Sequence, residues 1–385
     1  MTSPPSEASP TSEASPLRVA IDVTTAVTQR AGVGRYTREL VGALAALPNG
    51  PDLRPFYAAP QAAYPLGAGT NPASIPRTVR AWRLETLARH LLRRPADGPW
   101  DGADVYHAPD VVYPPVGAIP VVATVHDLSY IVYPEYHTRL NGGYLRLLTP
   151  TLLRRARLII AVSDATKRDL VERAGVSEGK VRVVYSGLAA PFMRRPPLER
   201  LDEARRRYNL PEAFILSVGT LEPRKNLAGT LRAYGLLRAR LAGAPPLALV
   251  GGSGWRLDEE GLSGVDVRRL GYVPDEDLVA LYAACDLFVY PSLYEGWGFP
   301  VAEALALGAP TITSTTSSLP EVAGDAALLV DPRDPAAIAA AMEEALADTA
   351  TGARLRAAGP ARARRFSSER WAADTLQVYR EAIEG

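Results

Sequence analysis

The stretch LYEGWGFPVAEALALGAP, Leu293 to Pro310, places Glu295 before a Gly-Trp-Gly turn and Glu303 beyond it. The run just before it, Asp286-Leu-Phe-Val-Tyr290, is short, apolar and bounded by turn residues, so it reads as a buried strand. Pro291, Gly296 and Gly298 end the strand. Pro300 suits a first helical position, where its missing N–H is no loss. Ala302, Glu303, Ala304 and Leu305 are good helix formers, and Gly308 and Pro310 close the helix. The unit is strand, glycine turn, helix. The free N–H groups at such a helix start favour an anion. Glu303 sits roughly 5 Å of helical rise beyond Pro300, so both carboxylates can face one crevice. Acceptors flanking an anion site suit a phosphorylated, hydroxyl-rich ligand. Acidic residues near a helix start also suit the helix dipole, and that plainer reading stays open here.

Outward from this unit, strand and helix patterns alternate. Strands are expected at 18–23, 53–57, 105–108, 121–125, 158–162 and 181–185, then at 214–218, 247–250, 267–270, 287–290, 311–313 and 327–330. Helices are expected at 34–47, 79–94, 140–155, 164–174, 226–241, 275–284, 335–346 and 368–383. Such alternation predicts parallel sheets covered by helices on both faces. The chain has 385 residues, more than one core usually serves, so two α/β halves are expected. The Pro-rich Gly187–Glu199 reads as their linker, and the cleft between the halves is the default site.

Composition excludes several classes. Hydrophobic residues at 47% and charged residues at 22% are globular values. No apolar run is long enough to span a bilayer. Residues 1–16, rich in Pro, Ser and Glu, lack the basic and apolar regions of a signal peptide and read as a disordered tail. Cys285 is the only cysteine, which excludes a disulfide framework and reads as a buried structural thiol. These features point to the cytosol. The net charge of +1 is uneven: residues 17–200 carry +9 and residues 201–385 carry −6. A basic first half favours an anionic partner or membrane surface, or is ordinary surface charge.

Several loops carry candidate chemistry. Gly32-Val-Gly34 opens a helix after the first strand, but Thr37 stands where a dinucleotide fingerprint needs glycine or alanine. A nicotinamide or flavin cofactor is therefore not indicated. His126-Asp127 follows the strand 121–125, and the histidine can donate to a sugar hydroxyl or be a loop residue held by Asp127. His107 repeats that ambiguity. VGTLEPRKNL places Arg224 and Lys225 before a helix, where cations and free N–H groups suit a diphosphate. Gly251-Gly-Ser-Gly254 lets backbone approach a nucleotide. No P-loop and no metal-ligand spacing occurs, and no nucleic-acid partner is indicated.

Taken together, GVGRYTREL, TVHDL, AVSDATKRDL, VGTLEPRKNL, LVGGSGW, LGYVPDEDL, the Glu295/Glu303 spacing and LPEVAGDAALLVDP resemble the retaining glycosyltransferases of family four, from about Leu17 to the C-terminus. The resemblance implies a GT-B fold: Rossmann-like domains at 17–190 and 200–365 facing across a cleft, with a C-terminal helix at 366–385 crossing back to the first. It implies transfer of a hexose from a nucleotide diphosphate sugar to a saccharide or lipid-linked acceptor, with no metal and no other cofactor. The look is nearest to bacterial polysaccharide mannosyltransferases, which favours mannose and GDP-mannose, and a place in surface polysaccharide or glycolipid synthesis at the inner face of the membrane. By the same resemblance Glu303 holds the donor ribose and Glu295 the transferred sugar. Gly298 and Phe299 lend backbone N–H groups, Arg224 and Lys225 meet the diphosphate, and His126 lies beside the sugar. Gly32 and Gly34 close over the phosphates, and Val273 contacts the base through its main chain. Thr220 stands where many members carry arginine, and Ser186 replaces the usual Asn before Gly187. A GT-B-like epimerase and a non-catalytic nucleotide-sugar-binding protein remain as alternatives. The segment Val79–Arg94 sets Trp82, Leu84, Leu87, Leu91 and Leu92 among arginines, as a basic amphipathic helix at a membrane or as a helix packed on the first sheet.

Overall fold

A computed structural model describes residues 15–30, 32–64, 66–67, 70–137, 139–220, 222–252 and 266–385. Of the expected tail, residues 1–14 lie outside the described residues, as do Ser253 and Gly254 of the second glycine cluster. The first sheet contains β1 (Arg18–Asp22), β2 (Asp52–Ala58), β3 (Ala73–Ile75), β4 (Val105–Ala108), β5 (Val121–Val125), β6 (Leu158–Ala161) and β7 (Val181–Val183). The second contains β8 (Ile215–Val218), β9 (Leu247–Val250), β10 (Val267–Gly271), β11 (Leu287–Tyr290), β12 (Thr311–Ser314) and β13 (Leu328–Val330). The orders are β3-β2-β1-β4-β5-β6-β7 and β10-β9-β8-β11-β12-β13. Every pairing is parallel, as between Ile21 and His107 or Phe288 and Leu216. The two sheets thus reverse direction at the same relative place, between β1 and β4 and between β8 and β11. Ligands of open parallel sheets bind at the strand ends beside such reversals.

The apolar strands bury both faces because helices cover both sides. Along β6, Leu158 and Ile160 enter one core cluster while Ile159 and Ala161 enter another. The elements not foreseen from the apolar pattern include β3, the short helices Thr24–Thr28, Ser129–Val132 and Leu319–Ala323, the helix Leu198–Arg207 and the helix Thr349–Ala363. The last contains Gly352, Gly359 and Pro360, which mask its period. Among the described residues, no helix is long and apolar enough to cross a membrane.

The C-terminal helix, Ser368–Glu384, belongs in sequence to the second half and packs on the first. Ser367 caps it, its hydroxyl accepting from Arg370 N at 3.2 Å. Trp371, Thr375, Val378, Tyr379 and Ala382 recur on one face and are buried. Trp371 meets the Tyr36 ring at 4.9 Å. Burying each such large side chain contributes about 1.5–3 kcal/mol. The Tyr379 hydroxyl reaches His107 Nδ1 at 2.7 Å, and His107 Nε2 lies 2.9 Å from Thr124 Oγ1. Burial lowers the His107 pKa to about 3, so the ring is neutral. His107 is therefore a structural anchor for this helix. The segment Gly187–Glu199 is also tied down, with Leu188 N donating to Phe366 O at 2.9 Å and Phe192 buried.

Tyr379→Phe leaves His107 Nδ1 buried without its hydrogen-bond partner. The expected loss is about 1–3 kcal/mol, read as a lower urea midpoint. An unchanged midpoint contradicts the anchoring role.

Candidate active site

The loop after β11 is built around one buried carboxylate. Glu295 Oε1 accepts from Lys225 Nζ at 2.6 Å and Tyr290 Oη at 2.8 Å, with Ser292 Oγ 2.7 Å away. Glu295 Oε2 accepts from Arg224 Nη1 at 3.0 Å. Burial opposes the charge, but Arg224 and Lys225 outweigh it and hold the carboxyl at about 2. Burial and Arg224 push the Lys225 ammonium down, against the pull of Glu295. Arg224 also donates to Tyr294 O at 2.7 Å and to Glu222 Oε1 at 2.8 Å. Leu293 N donates to the Arg224 carbonyl at 2.9 Å, which ties the loop after β8 to the loop after β11. The two strand ends beside the reversal therefore share one ion cluster.

Beyond the turn, Gly298 takes φ 106° and caps the helix Phe299–Ala306, a conformation that glycine adopts without strain. Pro300 is second in that helix rather than first. Glu303 is buried on its second turn. Its Oε1 lies 2.7 Å from Arg35 Nη1, a residue of the first half. Arg35 also holds Glu39 at 2.6 Å on its own helix, Val33–Ala45, and lies over the Phe192 ring. Burial pushes the Glu303 carboxyl up to about 7; Arg35 pulls it down and Glu39 and Asp275 push further up. Glu303 Oε1, Arg35 Nη2, Glu39 Oε2 and Tyr282 Oη are buried without an aligned hydrogen-bond partner. Buried polar atoms seldom stay so, and such a set matches the hydroxyls of a ligand.

From the first half, His126 meets the same turn. Its Nε2 lies 2.7 Å from the Pro109 carbonyl, which can only accept, so that nitrogen carries the proton. Burial lowers its pKa despite that bond and the nearby Asp110 and Asp127. The free ring nitrogen, Nδ1, is then an acceptor. In this arrangement the Nε2–H is donated to the Pro109 carbonyl, so His126 offers a ligand an acceptor where the sequence reading expected a donor. Further ties close the cleft. Tyr294 Oη donates to Asp169 Oδ2 at 2.6 Å, Glu321 accepts from Asp164 N and Ala165 N at 2.9 and 3.0 Å, and Arg30 covers the Tyr272 ring at 3.6 Å. A Cβ on Gly296 would overlap the His126 carbonyl oxygen, so only glycine allows this approach.

The remaining candidates fall around this centre. Gly32, with φ 60°, caps the helix Val33–Ala45, and Gly34 lies in its first turn against Thr25 and Gln29. Thr220 is exposed after β8 and lines a small hollow with Lys225 and Tyr290. The Val273 side chain is buried in the core after β10. Phe299 is half-buried, with its ring 5.7 Å from the Arg35 guanidinium. Arg35, Tyr290 and Ser292 were missed from sequence. Arg35 had a signal: a cation in a first helical turn opposes the helix dipole and needs acidic partners. Among the described residues, no group of three or more His, Cys, Asp or Glu converges to hold a metal ion.

Two parallel α/β sheets that bring their strand ends to one cleft have the architecture of the GT-B glycosyltransferases. The chain matches the Glycosyltransferase Family 4 model over residues 30–189 and the Glycosyl transferases group 1 model over residues 201–362. It is 35% identical to O-antigen chain mannosyltransferase B of Escherichia coli, over 91% of this chain and 96% of that protein. The chain belongs to the family-four glycosyltransferases. Its fold matches sucrose-phosphate synthase from Thermosynechococcus elongatus, with TM-score 0.72 and 23% identity over 95% of this chain and 98% of that one. Anabaena Alr3699/HepE in complex with UDP-glucose matches with TM-score 0.71 and 18% identity, over 94% and 99%.

Gly296→Ala is expected to push the halves apart at the turn. Turnover should fall roughly a hundredfold, the scale of an ångström misplacement, with a larger radius of gyration in solution scattering. Wild-type turnover and scattering contradict the close-approach argument.

Proposed function

We propose that the protein is a retaining mannosyltransferase of surface-polysaccharide synthesis that needs no divalent metal. It takes mannose from GDP-mannose and passes it to a hydroxyl of a saccharide or lipid-linked acceptor. The half at 200–365 holds the donor, the half at 17–190 the acceptor, and 366–385 returns to the first. The observation that carries the reading is the fixed charge pattern at the glycine turn: ionised Glu295 between Arg224 and Lys225, with His126 against the same turn. A departing nucleoside diphosphate gains negative charge, and preorganised cations offset it without reorganisation. Arg224, Lys225 and the N–H groups near Gly298 and Phe299 supply that field. Thr220 offers a hydroxyl beside it and Gly32 and Gly34 close over it. The base meets the main chain at Val273.

Glu295 is neither acid nor free nucleophile. A carboxyl held at about 2 carries no proton at neutral pH, and its oxygens already accept from Lys225, Tyr290 and Arg224. This favours attack on the face the phosphate leaves. The bond from C1 to the phosphate oxygen breaks as the acceptor oxygen bonds C1, and the acceptor proton passes to the departing phosphate. Glu295 Oε2 and His126 Nδ1 orient hydroxyls of the transferred sugar. Glu303, buried with an unaligned oxygen, takes the ribose hydroxyls. The acceptor fits a hollow at the ends of β1 and β4 lined by Asp22, Thr25, Gln29, Trp82, Arg83 and Asp110. Mannose and surface polysaccharide are supported by the name of the E. coli relative. The single cysteine, its thiol pushed up to about 12 by burial, is in keeping with the cytoplasm.

A panel of nucleotide sugars with a mannoside acceptor tests this reading. GDP-mannose should release nucleoside diphosphate roughly tenfold faster than UDP-glucose or better, yield an α-linked product, and be unaffected by chelator. Preference for UDP-glucose overturns the donor, a β-linked product overturns retention, and chelator loss restored by metal overturns metal independence. Isomerised donor without acceptor indicates an epimerase.

A further inference from the structure

The helix Val79–Leu92 is turned against its own polarity. Thr86 and His90 face inward and are buried, with His90 Nε2 held by the Tyr113 carbonyl at 2.8 Å. Trp82 is buried against Trp100 and Leu87 is half-buried. Leu84, Leu91 and Leu92 point outward at 64%, 74% and 65% exposure. The expectation that all the apolar positions of this segment share one role is corrected: they split between the two faces. The helix Arg139–Arg155 lies alongside, with Tyr144 Oη donating to the Arg83 carbonyl at 3.4 Å and Arg155 Nη1 2.5 Å from His90 Nδ1. It adds Leu147 at 71% exposure. Among the described residues, these four leucines are nearly half of the exposed large apolar side chains. Exposed leucines scattered singly need no explanation, but a group on paired helices does.

Charge says what covers this group. Val79–Arg94 holds Arg80, Arg83, Arg89, Arg93 and Arg94 against Glu85 alone, and residues 146–157 add Arg146, Arg154, Arg155 and Arg157 without an acid. Exposed leucines on helices whose faces and ends also expose Arg80, Arg93, Arg94, Arg146 and Arg154 match an anionic lipid surface, where chains take the leucines and headgroups the guanidinium groups. A second copy docked on the same face would set these arginines against their equivalents. The other side of the same helix lends Val79, Trp82 and Arg83 to the hollow with Asp22 and Asp110. One helix thus stands between the exposed leucines and that hollow.

We infer that the paired helices dock on an anionic bilayer, which presents a lipid-linked acceptor to the hollow beneath. The lipid-linked acceptor rests on the acceptor role proposed for that hollow; the docking does not. The test is flotation of the full chain with phosphatidylcholine vesicles, with and without phosphatidylglycerol, at low and high salt. The wild type should bind anionic vesicles roughly tenfold better than neutral ones and lose most of that binding in high salt. Leu84→Glu/Leu91→Glu should bind at least roughly tenfold less, with an unchanged melting temperature. Transfer to a soluble mannoside, measured for both proteins, reads the transferase function separately. Equal binding to both vesicle types, no binding, or unchanged binding of the variant overturns the inference. So does a dimer in light scattering that the variant abolishes, since a second copy then covers the face.

Discussion

The site rests on one buried carboxylate, Glu295, and its two cations. A buried charge is tolerated only when paired and hydrogen-bonded, and removing one partner of such a pair costs about 3–5 kcal/mol. Glu295 meets that demand by drawing Arg224 and Lys225 from the loop after β8 to the loop after β11. The backbone follows: Leu293 N bonds the Arg224 carbonyl, and Glu295 N donates to Ser317 Oγ at 2.9 Å. With the loops locked together, the Gly-Trp-Gly turn has one path, and the helix carrying Glu303 starts where that turn ends.

The second constraint is that the chain ends on the half it began with. Trp371 and Tyr379 pack on Tyr36 and His107, so one apolar cluster runs from Val19 to Val301 through the C-terminal helix. That shared core sets how closely the strand ends face each other. It brings Gly296 onto the His126 carbonyl and Arg35 onto Glu303. Glu303 is covered by Arg35 in this closed arrangement, so a ligand using that carboxylate must share or displace the guanidinium. Motion of one half against the other is the physical route to that exchange.

The strands and most helices were legible because buried parallel strands are short apolar runs between turn residues. Val121–Val125 and Asp275–Ala284 have the bounds their patterns predict. Elements without such a pattern were not: β3 is three residues long, and Thr349–Ala363 is interrupted by glycines and proline. In the site, local features were readable, since Glu295, Arg224 and Lys225 sit in loops beyond strand ends and Glu303 lies in the short helix that follows the glycine turn. Their pairing was not. Arg35 and Glu303 lie far apart in sequence, and nothing local tells an arginine which carboxylate it will meet. The proton on His126 Nε2 depends on the Pro109 carbonyl, a contact of the folded chain only. The helix Val79–Leu92 was legible as a helix, but its outward face was decided by the neighbours of Thr86 and His90.

The account holds that Glu295 positions cations and sugar without itself binding the nucleotide. Calorimetric titration of nucleoside diphosphate into Glu295→Gln measures this directly, with turnover recorded on the same protein. Freed of the carboxylate's charge, Arg224 and Lys225 should bind the diphosphate as tightly as in the wild type or more so, while turnover falls roughly a hundredfold. A loss of nucleoside diphosphate affinity as large as the loss of turnover contradicts the account.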